Sequence, residues 1–321
     1  MAIIIGAMAT SHSPLMITDF EKAPQEKRDH IVKSFDELRR IFHQLKPDII
    51  VSIGNDHLRE LTLSNMPQFM IGIGVDIETL GDWGLPKVKL KNHQRLARFF
   101  LTYSVEHDFD VAYSTDIKLD HGHSQTLTYI RPECDIPVVP ITINSIAHPY
   151  PSLKRCYQLG GAIREAILSF DENLRVLIMA SGGLSHWPSM PKIRDGLPTE
   201  LTANKEDERM LSIISGMDKS EEAEKYRVER SRKLDVTVKR GFVNEEWDRW
   251  FLSQLEHGNT SAIVNLTTDE IMENAGGGGQ EVRNWACLWG VIEGSPATVI
   301  CYEAIPEWIT GMAAANFKLN S

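Results

Sequence analysis

The chain has 321 residues, 42% hydrophobic and 24% charged, a composition that sustains a large buried core and excludes disordered and collagen-like classes. Its 34 basic and 44 acidic residues leave a net charge of −10, a field that repels phosphate backbones and anionic membrane surfaces and argues against nucleic-acid binding. No apolar run approaches the roughly 20 residues of a membrane-spanning helix, and four cysteines without CxxC spacing fit reduced thiols in the cytoplasm better than disulfides.

The apolar opening lacks the basic flank and cleavage pattern of a secretion signal, so residues 2–8 read as a first strand. Ile31, Phe35, Leu38, Phe42 and Leu45 follow on one helical stripe. Residues 49–53, 69–75, 111–113 and 138–143 come next as strands nearly continuous in apolar residues, the pattern of strands covered on both faces. Leu159, Ile163 and Ile167 mark another helix before a strand at 175–180. Met210, Ile213 and Ile214, then Trp247, Trp250, Phe251 and Leu255, indicate amphipathic helices around the charge-dense stretch 219–240, whose mixed signs read as a solvated helical face. A glycine run at 276–279 leads into a helix with Val282, Trp285, Leu288, Trp289 and Ile292 on its apolar face, and 297–302 is a last strand. The alternation, without repeat or linker, predicts one α/β domain over residues 1–321: a central, largely parallel or mixed sheet flanked by helices, with a mainly helical C-terminal third.

Several of the 11 histidines fall where a predicted strand gives way to a loop. His12 follows the first strand in Ser11-His12-Ser13-Pro14, His57 the second in Asn55-Asp56-His57, and His186 a later one in Ser181-Gly182-Gly183-Leu184-Ser185-His186. The carboxyl ends of strands form the ligand crevice of open α/β sheets, so three strands would deliver imidazoles to one edge. His121 and His123 lie in a glycine-containing loop before a predicted helix. Any one of these alone reads more readily as a hydrogen-bonded structural histidine; the shared placement is what argues for a site. His30, His43, His93, His107, His148 and His257 lack that placement and read as structural.

Two imidazoles and a carboxylate form the facial set that holds catalytic Fe(II) with positions open for substrate and oxygen. Glu281, in the first turn after the glycine run, can supply the carboxylate. It can equally be an acid favourably placed at a helix N-terminus, or part of a phosphate cradle, although neither GxxxxGK[ST] nor GxGxxG is met. Ser13 and Ser185 each adjoin a histidine, but no GxSxG elbow supports a serine hydrolase.

Taken in order, Ser11-His12-Ser13-Pro14, Asn55-Asp56-His57, Asp120-His121-Gly122, Ser181 to His186 and Gln280-Glu281-Val282-Arg283-Asn284-Trp285 resemble the class III extradiol ring-cleaving dioxygenases, the family of the protocatechuate 4,5-dioxygenase catalytic subunit. The tail Ile305-Pro306-Glu307-Trp308-Ile309-Thr310-Gly311 is similar to that of the 2,3-dihydroxyphenylpropionate 1,2-dioxygenase type. The resemblance implies that His12, His57 and Glu281 bind Fe(II) and that His186 and His121 act as acid/base or oxygen-positioning groups. It implies an aromatic diol and O2 as substrates, a semialdehyde-type product, and a homo-oligomer, with a separate small subunit in some members. Aminophenol or dihydroxypyridine rings are alternatives on the same site. A zinc hydrolase and a non-catalytic binding protein are alternatives of other classes. His123 has no counterpart in the pattern. Asp56 and Asp120 could fix a histidine ring or simply face solvent, and Arg59 and Arg283 are expected in structural ion pairs rather than on a substrate carboxylate.

Overall fold

A computed structural model describes residues 1–188, 193–195, 197–198, 205–232 and 242–319. In chain order the strands are β1 (Ile3–Thr10), β2 (Ile49–Gly54), β3 (Phe69–Gly72), β4 (Asp76–Thr79), β5 (Lys89–Lys91), β6 (Ala112–Ser114), β7 (Lys118–Leu119), β8 (Val138–Ile143), β9 (Arg175–Ser181), β10 (Ile193–Arg194), β11 (Leu197–Pro198), β12 (Ala297–Ile305) and β13 (Thr310–Phe317). The helices are α1 (Pro14–Thr18), α2 (Gln25–Leu45), α3 (Gln94–Glu106), α4 (His121–Ile130), α5 (Leu153–Ser169), α6 (Lys205–Ile214), α7 (Glu221–Arg232), α8 (Glu245–Glu256), α9 (Thr260–Val264), α10 (Thr268–Ala275) and α11 (Val282–Val291).

An eight-stranded mixed sheet in the order β12-β13-β1-β9-β2-β8-β3-β6 forms the centre. Its middle strands β1, β9, β2 and β8 run parallel, and β12, β13 and β3 introduce the antiparallel pairs. The continuous apolar strands are explained by cover on both faces. Ile49, Val51, Ile53, Val176, Ile178 and Ala180 face a cluster built with α3, α5, α8 and α11, whereas Ile50, Leu177 and Met179 face Ile31, Phe35, Leu38 and Phe42 of α2. On the first face α5 and α11 meet through glycines: a Cβ on Gly160 would strike the Cys287 carbonyl, and one on Gly290 that of Tyr157.

The predicted mixed α/β sheet and helical C-terminal region are observed. Strand β13 was not anticipated, because Met312-Ala313-Ala314-Ala315 carries helix-forming residues without β-branching. Pairing on both sides, to β1 and β12, overrides that propensity. Helix α4 begins earlier than expected: Asp120 caps it by accepting from the Gly122 amide at 2.8 Å, so His121 and His123 belong to its first turn rather than to a preceding loop. Of the charge-dense stretch, residues 233–240 lie outside the described residues.

Candidate metal centre and active site

Parallel order puts the carboxyl ends of β1, β9 and β2 side by side, with Thr10 opposite Ser181 and Ile53 opposite Ala180. His12, Ser181 and His57 therefore leave the sheet along one edge, as expected of ligand crevices in such folds. From the other direction the 3-10 turn Gly278–Glu281 carries Glu281 to the same edge. The glycines are required there: a Cβ on Gly278 would occupy the His186 ring, and Gly276, at φ +76°, passes against the His186 carbonyl.

The result is a tight cluster at the base of a cavity. Nε2 of His57 lies 3.1 Å and Nε2 of His12 3.4 Å from the Glu281 carboxylate, and the two Nε2 atoms are 3.3 Å apart. Nε2 of His186 is 3.9 Å from the same carboxylate. The His121 ring stacks on that of His57 with centroids 3.9 Å apart. One nitrogen from each of His12, His57 and His121 falls within 4.8 Å of the others. His186 and His121 line the cavity together with His12, His57 and Glu281. His123 does not: it is buried between the hydroxyls of Ser52, at 2.9 Å, and Thr142, at 3.2 Å.

Each ring is oriented from behind. Asp120 accepts from both the backbone amide and Nδ1 of His57, at 2.7 and 2.9 Å, and Ser181 Oγ holds Nδ1 of His12 at 2.8 Å. Nδ1 of His121 faces Asp82 at 2.6 Å, and Nδ1 of His186 donates to the Leu184 carbonyl at 2.8 Å. Glu281 accepts from the Gly183 amide at 2.6 Å. Asn284 joins the Asn55 side chain, at 2.8 Å, to the Ser181 carbonyl, at 2.7 Å, and ties the rim together.

These partners set the electrostatics. Burial lowers His12 to about 4, against a smaller opposing pull from Glu281. Burial would lower His57 as well, but Asp120 and Glu281 outweigh it and raise the imidazole to about 10. For Glu281 burial pushes upward and the surrounding imidazoles win, holding the carboxyl well below its ordinary range. Burial depresses His121 and His186, which leaves both neutral near pH 7.

The donor set fits a divalent transition metal. With Nδ1 of His57 committed to a carboxylate, its Nε2 meets the Glu281 oxygen as a lone pair unless a proton or a cation lies between them. Two imidazole nitrogens and one carboxylate on a single facet are the donors such an ion takes, and the cavity supplies the open side.

Other sequence expectations are revised. Asp56 and Asp120 are buried, 7% and 1% exposed, so neither faces solvent. Asp56 accepts the amides of Arg59, Glu60 and Leu61 and folds the loop after His57. Arg283 makes no ion pair among the described residues. It is 1% exposed and donates to the carbonyls of Pro151 and Gln280 and to Thr268 Oγ1. Arg59 does pair, with Glu224 and at 3.9 Å with Asp82, and it also lines the cavity. Asp82, Trp83, Ser181 and Arg227 are site residues that sequence reasoning missed. Only Ser181 carried a signal, its place at the end of a predicted strand.

Comparison with known proteins agrees with this geometry. Residues 6–313 match the family described as the catalytic LigB subunit of aromatic ring-opening dioxygenase. A 2,3-dihydroxyphenylpropionate/2,3-dihydroxicinnamic acid 1,2-dioxygenase of Photorhabdus laumondii is 29% identical, covering 97% of this chain and 96% of its own. Proteins of the same name from Burkholderia vietnamiensis, 31% identical over 95% of this chain and 92% of theirs, and Paraburkholderia xenovorans, 34% over 85% of each, are similar too. The chain therefore belongs to the family of aromatic ring-opening dioxygenases and is an extradiol-type enzyme that opens the ring of an aromatic diol.

Proposed function

We propose that the protein is a cytoplasmic non-haem Fe(II) extradiol dioxygenase, with His12, His57 and Glu281 as metal ligands and His186 and His121 as acid/base groups. The observation that carries this reading is the convergence of two carboxylate-facing Nε2 atoms on Glu281 at the base of the cavity. When bound, Fe(II) supplies the redox link between an electron-rich diol and O2, which zinc lacks.

The chain's own residues do the rest. With Nδ1 of His186 donating to Leu184 and Nδ1 of His121 held by Asp82, each neutral ring keeps its lone pair on Nε2, on the cavity side. Either can take a proton from a diol hydroxyl as the diol binds and return it to an oxygen later in the reaction. Trp83, Pro14, Met210 and Ile309 give the cavity apolar walls suited to an aromatic ring. The relatives are named for 2,3-dihydroxyphenylpropionate and 2,3-dihydroxicinnamic acid, and we place the substrate in that class of side-chain-bearing catechols.

The test is oxygen uptake by anaerobically prepared, Fe(II)-loaded protein offered 2,3-dihydroxyphenylpropionate, protocatechuate, 2-aminophenol and a dihydroxypyridine. Stoichiometric uptake with a yellow ring-opened product from the first supports the reading. Zinc-dependent hydrolysis without oxygen uptake would overturn it.

A further inference from the structure

Helix α7 belongs to the charge-dense stretch that the sequence presents as a solvated face, yet it turns Arg227 and Ser231 into the cavity. Arg227 donates through Nη1 to the His57 carbonyl, at 3.1 Å, and through Nη2 to the Leu58 carbonyl, at 2.7 Å. A guanidinium carries five N–H donors, so most of its hydrogen-bonding capacity remains after these contacts. Among the described residues it has no carboxylate partner. Arg59, beside it in the cavity wall, is neutralised by Glu224, but its Nε is buried without a hydrogen-bond partner and its side chain is only 9% exposed. Among the described residues Arg227 thus lines the cavity as a guanidinium without a direct carboxylate contact, while Asp56, Asp120 and Asp82 attract it from farther away and the Arg59 Nε is sealed from the cavity.

Position gives Arg227 its meaning. The Arg227 guanidinium bonds the backbone of His57, the residue whose Nε2 faces Glu281. Arg227 and Glu281 line the same cavity, so a ring seated over Glu281 and the two histidines can direct a short side chain toward the guanidinium. A buried or half-buried guanidinium facing a cavity is matched best by a planar anion that accepts two parallel N–H bonds.

We propose that Arg227 recognises a carboxylate at the end of the substrate's side chain and so selects catechols bearing an acidic side chain over neutral ones. The inference rests on the ring-opening site described above and names the residue that sets its selectivity. In binding, the carboxylate exchanges water for the free N–H donors of Arg227. No covalent bond changes at this end of the molecule.

The experiment compares wild type with Arg227→Gln and Arg227→Lys on two substrates of one shape, 2,3-dihydroxyphenylpropionate and 3-propylcatechol. Calorimetric binding of 3-phenylpropionate and 3-phenylpropanol to protein without added metal is measured in parallel. Removing a charge-assisted contact costs roughly 10- to 100-fold, so the kcat/KM ratio of acidic to neutral substrate falls by about that factor in Arg227→Gln, through KM. Arg227→Lys restores part of the ratio, and added salt weakens acidic ligands selectively in wild type. An unchanged ratio, with both substrates losing equally, would overturn the proposal and leave Arg227 as a brace on the His57–Leu58 backbone. If neither diol is cleaved while 3-phenylpropionate still binds in an Arg227-dependent way, the ring-cleavage reading fails and the anion site stands.

Discussion

Two regions meet at the cavity and are built on different terms. The sheet rim carrying His12, His57 and Glu281 is anchored in the two large apolar clusters, with every ring braced by a buried partner. The helical cover from α6 and α7 rests mainly on a small cluster with Leu58, Met210 and Ile214 at its centre, and reaches one of the large clusters through Val228. The groups that demand fixed geometry sit on strand ends, for His12 and His57, and on a buried 3-10 turn, for Glu281, whereas the cover contributes Met210, Arg227 and Ser231 from helices. The contrast separates two kinds of variant: rim changes alter the metal or the turnover, and cover changes alter which substrate is taken.

The sharpest way to break that division is at Glu281. Glu281→Ala removes the carboxylate facing both Nε2 atoms, and we expect metal content after desalting to fall to background, with ring cleavage lost. A variant that retains a full equivalent of iron would remove Glu281 from the ligand set. Next in size is His186→Phe, which leaves the three proposed ligands in place. Metal content should stay near one equivalent while kcat falls by roughly 100- to 10,000-fold, the span of a lost acid/base group. Loss of metal in this variant would move His186 from proton transfer to ligation.

A smaller effect distinguishes the two histidines within the rim. His57 is backed by the Asp120 carboxylate and His12 by a serine hydroxyl, and their imidazoles are shifted in opposite directions, to about 10 and about 4. Asp120→Asn keeps an acceptor for the Gly122 amide that caps α4 but puts an NH2 group where the charged oxygen accepted from the His57 amide and Nδ1. Metal affinity, read by competition with a chelator, should drop about 10- to 100-fold. Ser181→Ala should cost less, because only a neutral hydrogen bond is lost. Equal losses in the two variants would show that the charge of Asp120 is irrelevant to the centre.

The rim was legible and the cover was not, for physical reasons. Strand ends announce themselves: an apolar run stops and a polar residue such as His12 or His57 follows, and the parallel topology brings such ends together. The glycine run marked Glu281 because backbone passing close to the His186 ring leaves no room for a Cβ. Arg227 gave no such signal. One arginine in a stretch of mixed charges looks like any solvated residue, and only the tertiary fold turns it toward His57. Asp82 was hidden similarly, since nothing local links a turn at Asp82–Gly84 to a histidine 39 positions later. Strand β13 failed for the opposite reason: its local signal existed and pointed the wrong way.

A last effect is read in folding stability rather than in metal or turnover, and lies where the rim is fastened to the core. Asp248 is 0% exposed and accepts from the Ser185 amide and hydroxyl, at 2.8 and 2.9 Å, and from the Tyr302 hydroxyl at 2.8 Å, steadying the loop that presents His186. Burial outweighs these three donors and raises its carboxyl from 3.8 to about 6. Between about pH 4 and pH 6 the native state therefore holds a proton that the unfolded chain has already released, and stability falls across that window as pH rises. A shift of about two units corresponds to about 3 kcal/mol, absent below pH 4 and complete above pH 6. Asp248→Asn cannot ionise, so relative to wild type it should gain stability between pH 4 and pH 7, measured by urea midpoints at the two values. Parallel pH profiles for the two proteins would mean that Asp248 is ionised in the native state throughout, its three donors having prevailed over burial.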